Sequence, residues 1–316
     1  MSPTIASAIC EPLVRLLSHA TDLVRKKALL VLQKVRQAGS EVGEYREKMK
    51  RGLCDREPSV MSASLILYLE EISRNPRKYR DLTGSFVVIL KQVIEHKLPK
   101  EFDYHRHPAP WIQLKMLKII EILGKGDQKS SEHCYTVLEH VLQRAEECSN
   151  NMSIAITYQC VRTIASIYPY EGLLNEAARA IARFLEPSSP NNMKYLGIQA
   201  LGLLLKTNSQ LLERHQLMVV ECLESKDETL KKETLDLLFR MTSPENIEVI
   251  VAKMLNALHG STDRHFRNDL VLKITELAER HCTTHQWYIA TMQILFELGS
   301  EYLSEAILNN FLKLVL

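Results

Sequence analysis

The sequence contains little glycine and proline, and it has no long uninterrupted apolar run. Eleven glycines and eleven prolines in 316 residues are too few for an all-β protein, which needs many tight turns. No stretch approaches the roughly 18 consecutive apolar residues that indicate a transmembrane helix. Hydrophobic residues still make up 46% of the chain, so the sequence contains ample material for a buried core.

The chain also lacks an excess of either charge. Forty Lys and Arg residues stand against 38 Asp and Glu, a formal net charge of +2. This balance does not indicate nucleic acid as a partner. Two short basic stretches, residues 46–51 and 74–80, are interpreted as solvated helix ends or loops, with a contact to acidic lipid headgroups as the alternative.

Cysteine is present, but not in a pattern that indicates disulfides or a metal site. The number is odd, there is no C-x-x-C pair, and most of the cysteines fall in apolar runs: Cys10, Cys54, Cys134, Cys148, Cys160, Cys222 and Cys282. Free, buried thiols in a reducing compartment are therefore predicted. The first twenty residues have no basic segment, and Glu11 and Pro12 interrupt their apolar part, so no signal peptide is predicted. We expect a cytoplasmic protein.

Apolar residues recur at helical spacing along the whole chain. From Ile112, the residues at offsets of 4, 7, 8 and 11 are Met116, Ile119, Ile120 and Leu123, which form one face of a three-turn helix. Similar patterns begin at Val24, Val60, Ile156, Met193, Leu230 and Phe266. The pattern from Val60 fits worst, because Ser64 and Glu71 occupy two of its core offsets.

These seven starting points are separated by 36 to 52 residues, and most intervals are close to 37. Each interval has room for a second helix, predicted at 82–97, 130–147, 173–185, 209–224, 245–259 and 285–298. Such a period is typical of HEAT and armadillo repeats. The sequence therefore predicts an all-α fold, a right-handed superhelix of about seven antiparallel helix pairs, with residues 1–316 forming one array.

A Gly-Lys-Gly segment near the middle of the chain resembles a phosphate-binding loop only superficially. Such a loop needs the pattern G-x-x-x-x-G-K-[ST] after a strand, whereas Gly124-Lys125-Gly126-Asp127 follows a helical pattern. We predict a turn instead, with Gly124 at the helix C-cap and Lys125 close to the negative helix end.

The remaining polar clusters do not predict chemistry. The group His281, Cys282 and His285, and the pair His105 and His107, have too few ligand types at the right spacing for zinc and are interpreted as loops. Trp111 and Trp287 are predicted to pack between repeats. No hydrolase, metalloprotease or dinucleotide-binding motif occurs, so we predict a protein that is not an enzyme, with no catalytic, cofactor-binding or metal-binding residues.

Several blocks of the sequence, in this order, resemble the helical trunk of the large adaptins, the α, γ, δ and ε subunits of vesicle adaptor complexes. The blocks are VRKKALLVLQKV (24–35), DREPSVMSASLILYLEEI (55–72), HPAPWIQLKMLKIIEILGKGDQKSSE (107–132), NMKYLGIQALGLLLKTN (192–208), residues 215–258 and NNFLKLV (309–315). Residues 108–113 and 161–185 are most similar to the ε branch of the family, which belongs to adaptor protein complex 4.

The resemblance implies a noncatalytic scaffold subunit in vesicle coat formation and cargo sorting at the trans-Golgi network and endosomes. It implies small, medium and β-type adaptor subunits as partners, and peripheral membrane association through the complex. It also implies that the hinge, the appendage domain and the parts that would contact a small GTPase lie outside this trunk segment. The alternative is another α-solenoid scaffold, such as a coatomer-like subunit or a transport receptor.

Overall fold

The computed structural model describes residues 3–38, 46–147, 150–207 and 215–315. These residues form seventeen α-helices: α1 (Pro3–Leu16), α2 (Asp22–Gln37), α3 (Arg46–Leu53), α4 (Pro58–Arg74), α5 (Thr83–Ile94), α6 (Pro110–Gly124), α7 (Gln128–Glu132), α8 (Tyr135–Glu146), α9 (Asn151–Ser166), α10 (Glu171–Ala182), α11 (Asn191–Leu204), α12 (Gln216–Glu221), α13 (Glu228–Met241), α14 (Ile247–Gly260), α15 (Arg264–His281), α16 (His285–Gly299) and α17 (Glu305–Val315). Their backbone contains no strand, only an isolated bridge between Tyr104 and His107. The prediction of an all-α fold is confirmed.

The chain divides into two compact units, Met1–Ala180 and Ile181–Leu316. In the first unit, α2, α4, α6 and α9 pack side by side as one layer. Helices α1, α3, α5 and α8 pack against them as a second layer. This is the stacking of helix pairs that the repeat predicts.

The second unit follows the same plan. Helix α11 packs against α13 and α13 against α15, while α14 and α16 pair with α15. The helices predicted to lie between the repeats are found as α5, α8, α10, α14 and α16, and α12 covers the last part of the segment predicted at 209–224. Residues 209–214 of that prediction lie outside the described residues. That both units form a single array stays a prediction.

Polar side chains fix where several helices begin. The Asp227 carboxylate accepts the Leu230 N–H at 3.0 Å, as an N-cap residue does. Asn150 and Ser153 form a reciprocal capping box at the start of α9. Asp22 is the first residue of α2 and follows the N-cap residue Thr21, so its negative charge lies in the first turn of the helix. These caps satisfy backbone N–H groups that have no partner within the helix.

The buried seam of most helices agrees with the apolar pattern. Two helices, α2 and α4, have polar or charged residues in this seam. In α4, Ser64 and Glu71 are buried, so the pattern from Val60 is in the correct register despite its polar residues. In α2 the buried residues are Arg25, Ala28, Leu29, Leu32 and Val35, while Val31 is exposed. The seam of α2 therefore begins with an arginine, one position after the predicted Val24.

Glu71 is tolerated in the core because two neighbours neutralise and bind it. Arg36 of α2 forms an ion pair with its carboxylate, and the Tyr79 hydroxyl donates a hydrogen bond to Oε2 at 3.1 Å. A carboxylate buried without such partners would be strongly destabilising.

Arg25 joins the turns of two consecutive helix pairs. Its guanidinium donates two hydrogen bonds to the Asp55 carboxylate, at 2.7 and 2.9 Å, in the turn before α4. It also donates to the carbonyls of His19 and Ala20, at 3.0 and 2.9 Å, in the turn before α2. Since only about 10% of each side chain is exposed, this pair is shielded from solvent.

No helix among the described residues is long and apolar enough to cross a membrane. Four of the six described cysteines are buried and two, Cys54 and Cys282, are exposed, and all six are free thiols. Burial raises the pKa of Cys134 to about 12, so this thiol is unreactive at neutral pH. Cys148 lies outside the described residues.

The core seam of α13 can be tested with two leucines. Leu237 and Leu238 are both fully buried, so replacing either with alanine should reduce the free energy of unfolding by about 2–5 kcal/mol. The measurement is urea denaturation followed by circular dichroism. Leu272→Ala on α15, where the side chain is 46% exposed, is the control and should cost roughly 0.5 kcal/mol or less. Losses that small at both buried positions would show that the register of α13 is wrong.

The Arg25–Asp55 pair should make stability depend on pH. Arg25→Met leaves the Asp55 carboxylate buried without its cation, and should cost about 3–5 kcal/mol at pH 7. Although burial by itself raises the pKa of Asp55, the hydrogen bonds from Arg25 and from the Glu57 N–H hold it below its usual value.

The pKa of Asp55 is lower in the folded state than in the unfolded state. The ionised Asp55 therefore contributes fully to the free energy of unfolding above about pH 4–5, and this contribution is lost as the pH falls through the folded pKa. Asp55→Asn should therefore lose stability at pH 7 and show a flatter decline between about pH 5 and pH 2 than the parent chain. The measurement is urea denaturation at each pH. If the free energy of unfolding falls in parallel in the two proteins, the acid sensitivity does not come from Asp55.

Candidate functional site

The segment from Gly124 to Asp127 is a turn between helices. Helix α6 ends at Gly124, Lys125 is the C-cap and Gly126 has a φ of +67°. The Asp127 carboxylate caps α7 by accepting the Ser130 N–H at 3.1 Å. A side chain at Gly124 would collide with Ile167, since its Cβ would lie 2.6 Å from the Ile167 Cγ2 atom. The turn predicted from the sequence is confirmed, with Gly124 as the last helical residue rather than the cap.

Neighbouring segments are held to this turn by hydrogen bonds and an ion pair. The Arg80 Nη2 atom lies 3.4 Å from the Lys125 carbonyl oxygen, and the Arg80 Nη1 atom lies 3.6 Å from the Asp127 carboxylate. Ser131 Oγ donates to the Gly124 carbonyl at 2.9 Å and accepts the Tyr168 N–H at 3.0 Å. The Ser131 hydroxyl therefore binds backbone groups of two turns. The predicted basic stretch at 74–80 lies next to this turn, where Arg77 and Lys78 are exposed.

The two histidine groups of the sequence lie at connections between helices. In the described ranges, no group of three or more His, Cys, Asp and Glu side chains is arranged to hold a metal ion. Cys282 Sγ is 3.3 Å from the Thr284 carbonyl, in the turn before α16. His107 is buried, and this burial lowers the pKa of its imidazole, which favours the neutral form.

The turn that leads into α6 has an unusual backbone. His105, Arg106 and Ala109 have φ values of 48°, 70° and 39°, in the left-handed region that residues other than glycine rarely adopt. Hydrogen bonds hold the turn: Tyr104 and His107 exchange backbone bonds at 2.9 and 3.0 Å. In addition, the buried Gln113 amide donates to the Pro108 carbonyl at 2.6 Å. Backbone strain of this kind persists only where the surrounding structure enforces it, and it clusters at functional sites.

This turn places two large aromatic side chains at the surface. Trp111 is 55% exposed and Tyr104 is 47% exposed, with their ring centroids 6.2 Å apart. The prediction that Trp111 packs between repeats is wrong. It fails because Ala109 turns the chain immediately before α6, so that Trp111 points outward at the first turn of the helix. Trp287, by contrast, is partly buried. An exposed tryptophan is often a contact residue in a protein interface.

A second exposed apolar surface lies on α17. Leu308 and Leu312 are four residues apart on one helix face and are 42% and 44% exposed. Phe311 packs on Phe296 of α16, with ring centroids 5.1 Å apart, and so attaches α17 to the helix before it. Helix α17 therefore contacts α16 through Phe311, while Leu308 and Leu312 are exposed.

These surfaces carry exposed aromatic and apolar side chains of the kind found in protein interfaces. The groups with shifted pKa values include structural pairs, such as Arg25 with Asp55, and groups shifted by burial, such as the Cys160 thiol, His107 and Lys115. Sequence reasoning did not find Tyr104 or Trp111 as surface residues, although the Pro-Ala-Pro segment before Trp111 was a signal of an unusual turn.

Comparison with known proteins identifies the family. The family model described as the adaptin N-terminal region matches residues 1–316. The chain is 46% identical over 301 residues to the AP-4 complex subunit epsilon-1 of Homo sapiens, covering 95% of this chain and 26% of that protein. It is 40% identical over 309 residues to the AP-4 complex subunit epsilon of Arabidopsis thaliana, covering 98% of this chain and 33% of that protein. The chain thus spans about a quarter to a third of these relatives.

The fold has a counterpart among known structures. A chain of a structure described as a homology model of the full-length AP-3 complex in an intermediate open conformation superposes with a TM-score of 0.69. The match covers 99% of this chain and 56% of that one at 18% sequence identity, so it supports the fold alone. On the family match over its whole length and the identity to the epsilon subunits, this chain belongs to the adaptin family.

Proposed function

We propose that the chain is a noncatalytic scaffold, part of the large subunit of a heterotetrameric adaptor complex of the AP-4 type. In this role it takes part in vesicle coat formation and cargo sorting at the trans-Golgi network and endosomes. The observation that carries the proposal is the 40–46% identity to epsilon subunits of AP-4 complexes over at least 95% of the chain.

The structure suggests how such a scaffold works. Helix pairs that contact their neighbours present a long series of surface positions, because each pair adds its own turns and outer helix faces. Affinity for a partner then comes from several repeats together, rather than from one deep pocket. Exposed positions can differ from repeat to repeat, since only the seam residues are needed for stacking.

The proposed partners are the small, medium and β-type subunits of the adaptor complex. Exposed leucines on α17, Leu308 and Leu312, provide one apolar surface for a subunit contact. The complex as a whole then attaches peripherally to the cytosolic face of membranes, and a small GTPase is contacted through regions outside this chain. We propose no cofactor and no nucleic-acid partner.

The second candidate is another α-solenoid scaffold, such as a coatomer-like subunit or a transport receptor. It accounts for the helix pairs equally well, but not for the identity to the epsilon subunits. The two proposals differ in the partner proteins that they predict to bind the chain.

Coexpression with candidate subunits tests the assembly. We expect the chain to elute together with the small adaptor subunit in size-exclusion chromatography, and its soluble yield to rise, because the subunit covers apolar surface. Coatomer subunits expressed in the same way are the control. Coelution with a coatomer subunit, in the absence of any adaptor subunit, would support the second candidate instead.

The contribution of α17 is tested with the double variant Leu308→Glu, Leu312→Glu. Two carboxylates in an apolar contact should weaken binding of the small subunit at least tenfold, measured by isothermal titration calorimetry. Leu217→Glu on α12 is the matched control, because Leu217 is also an exposed leucine. If the control weakens binding as much as the double variant, α17 is not the contact surface.

A further inference from the structure

An open trough lies in the first unit, across α4 and between α2 and α6. It encloses about 330 Å³. Leu30 of α2, Ala63 and Ile66 of α4, and Ile112 of α6 supply apolar lining, and Trp111 stands at the edge. All of these residues lie within the described part of the chain. We call this feature the α4 trough.

The trough is hollow because α4 has small side chains on this face. Ser59, Ser62, Ala63 and Ile66 lie at offsets of 3, 4 and 7, which place them on one face of the helix. The larger side chains of α2 and α6 stand on either side. Small residues along a helix allow another helix to approach closely, at the short end of the usual interaxial distances of about 8–10 Å.

Hydrogen bonds hold the backbone at the edge of the trough. Trp111 is the second residue of α6, directly after the strained turn whose carbonyl at Pro108 is bound by the buried Gln113 amide. Asn150 Nδ2 also donates to the His105 carbonyl, at 3.2 Å. These bonds fix the backbone that carries the exposed indole before a partner binds, which lowers the entropy cost of binding.

Two lysines lie in or beside the trough, and neither has an acidic partner among the described residues. Lys115 of α6 donates to Ser62 Oγ at 3.0 Å, and its Nζ lies 3.4 Å from the Ser62 carbonyl. No carboxylate of the described residues pairs with its ammonium group, and burial lowers the pKa of Lys115. Lys26 of α2 is a second cation in the lining. A desolvated ammonium group with only neutral partners favours an anionic ligand.

We propose that the α4 trough binds an amphipathic helix of a partner protein that carries carboxylates beside its apolar face. The apolar side chains of this helix lie against Ala63 and Ile66 and beside the Trp111 indole. A carboxylate accepts hydrogen bonds from Lys115, and a second one pairs with Lys26. This binding rests on the geometry of the trough and does not depend on assembly with adaptor subunits.

A helix fits the trough better than an extended peptide. The floor is one face of α4, and the described walls offer side chains rather than an open strand edge. An extended peptide would leave its backbone N–H and C=O groups unpaired against this floor, whereas a helix pairs them internally. A lipid surface fits less well, because electrostatic attachment to a membrane usually uses a cluster of about 4–8 exposed basic residues.

The test uses a fluorescein-labelled peptide of about 18 residues, long enough to form a helix, made of alanine, leucine and glutamate. Its leucines repeat at helical spacing and its glutamates flank them. One control peptide replaces glutamate with glutamine, and another scrambles the same composition so that the apolar face is lost. Binding to the full chain is measured by fluorescence anisotropy.

We expect micromolar binding of the amphipathic acidic peptide, and binding at least tenfold weaker for both controls. Lys115→Met and Trp111→Ala should each weaken binding at least tenfold, and Lys115→Met should remove the preference for glutamate over glutamine. Lys118→Met is the matched control, since Lys118 is an exposed lysine on the same helix, and it should bind like the parent. Thermal unfolding followed by circular dichroism checks that each variant is folded.

The position of the peptide has an independent readout. The chain has two tryptophans, so Trp287→Phe leaves Trp111 as the only indole. Its emission should shift to shorter wavelength when the acidic peptide covers it.

Four outcomes would overturn the proposal. They are equal binding of the glutamate and glutamine peptides, equal binding of the scrambled peptide, equal losses in Lys115→Met and Lys118→Met, and no binding of the acidic peptide. Vesicles with anionic lipid that bind through Lys115 in place of the peptide would assign the site to a membrane instead. A blue shift that depends on chain concentration alone would assign it to a second copy of the chain.

Discussion

A helix pair in this protein cannot bury its own apolar residues, and the rest of the structure depends on this constraint. Each pair needs the next one as a cover, so the seam residues of α6, for example, are buried only because α4 and α9 lie against it. Side chains then fix the distance between neighbours at the turns, where helix carbonyls lack partners within their own helix. Arg267 does this in the second unit, by donating to the carbonyls of Leu258 and Ser261 at 2.8 and 3.0 Å and to that of Leu298.

The features that follow from this constraint could be predicted from the sequence. Stacked helices require apolar residues at helical spacing, so the pattern from Ile112 to Leu123 predicts both the helix and its buried face. Polar core residues were harder to assign, because their partners are distant in the sequence. Arg25 is separated from Asp55 by 30 residues. Glu71 spoiled the apparent pattern of α4, although Arg36 and Tyr79 make it acceptable in the core.

The candidate binding surfaces could not be predicted in the same way. The exposure of Trp111 depends on the left-handed backbone of Ala109, and no apolar period encodes that conformation. The α4 trough depends on small residues of α4 facing larger ones on α2 and α6, which is a property of three segments far apart in the chain. The family resemblance was visible in contiguous blocks of sequence because those blocks are the stacked helices themselves, whose residues are constrained by their neighbours.

The longest interval between repeats has a consequence for how such a chain diversifies. Fifty-two residues separate Val60 from Ile112, and the additional length lies largely in the segment that contains the strained turn before α6. Lengthening a surface connection costs little loop entropy, because that cost grows only with the logarithm of its length. A repeat protein can therefore acquire a new recognition feature in one connection while the cores of all other repeats remain unchanged, and selection can act on binding and on folding separately.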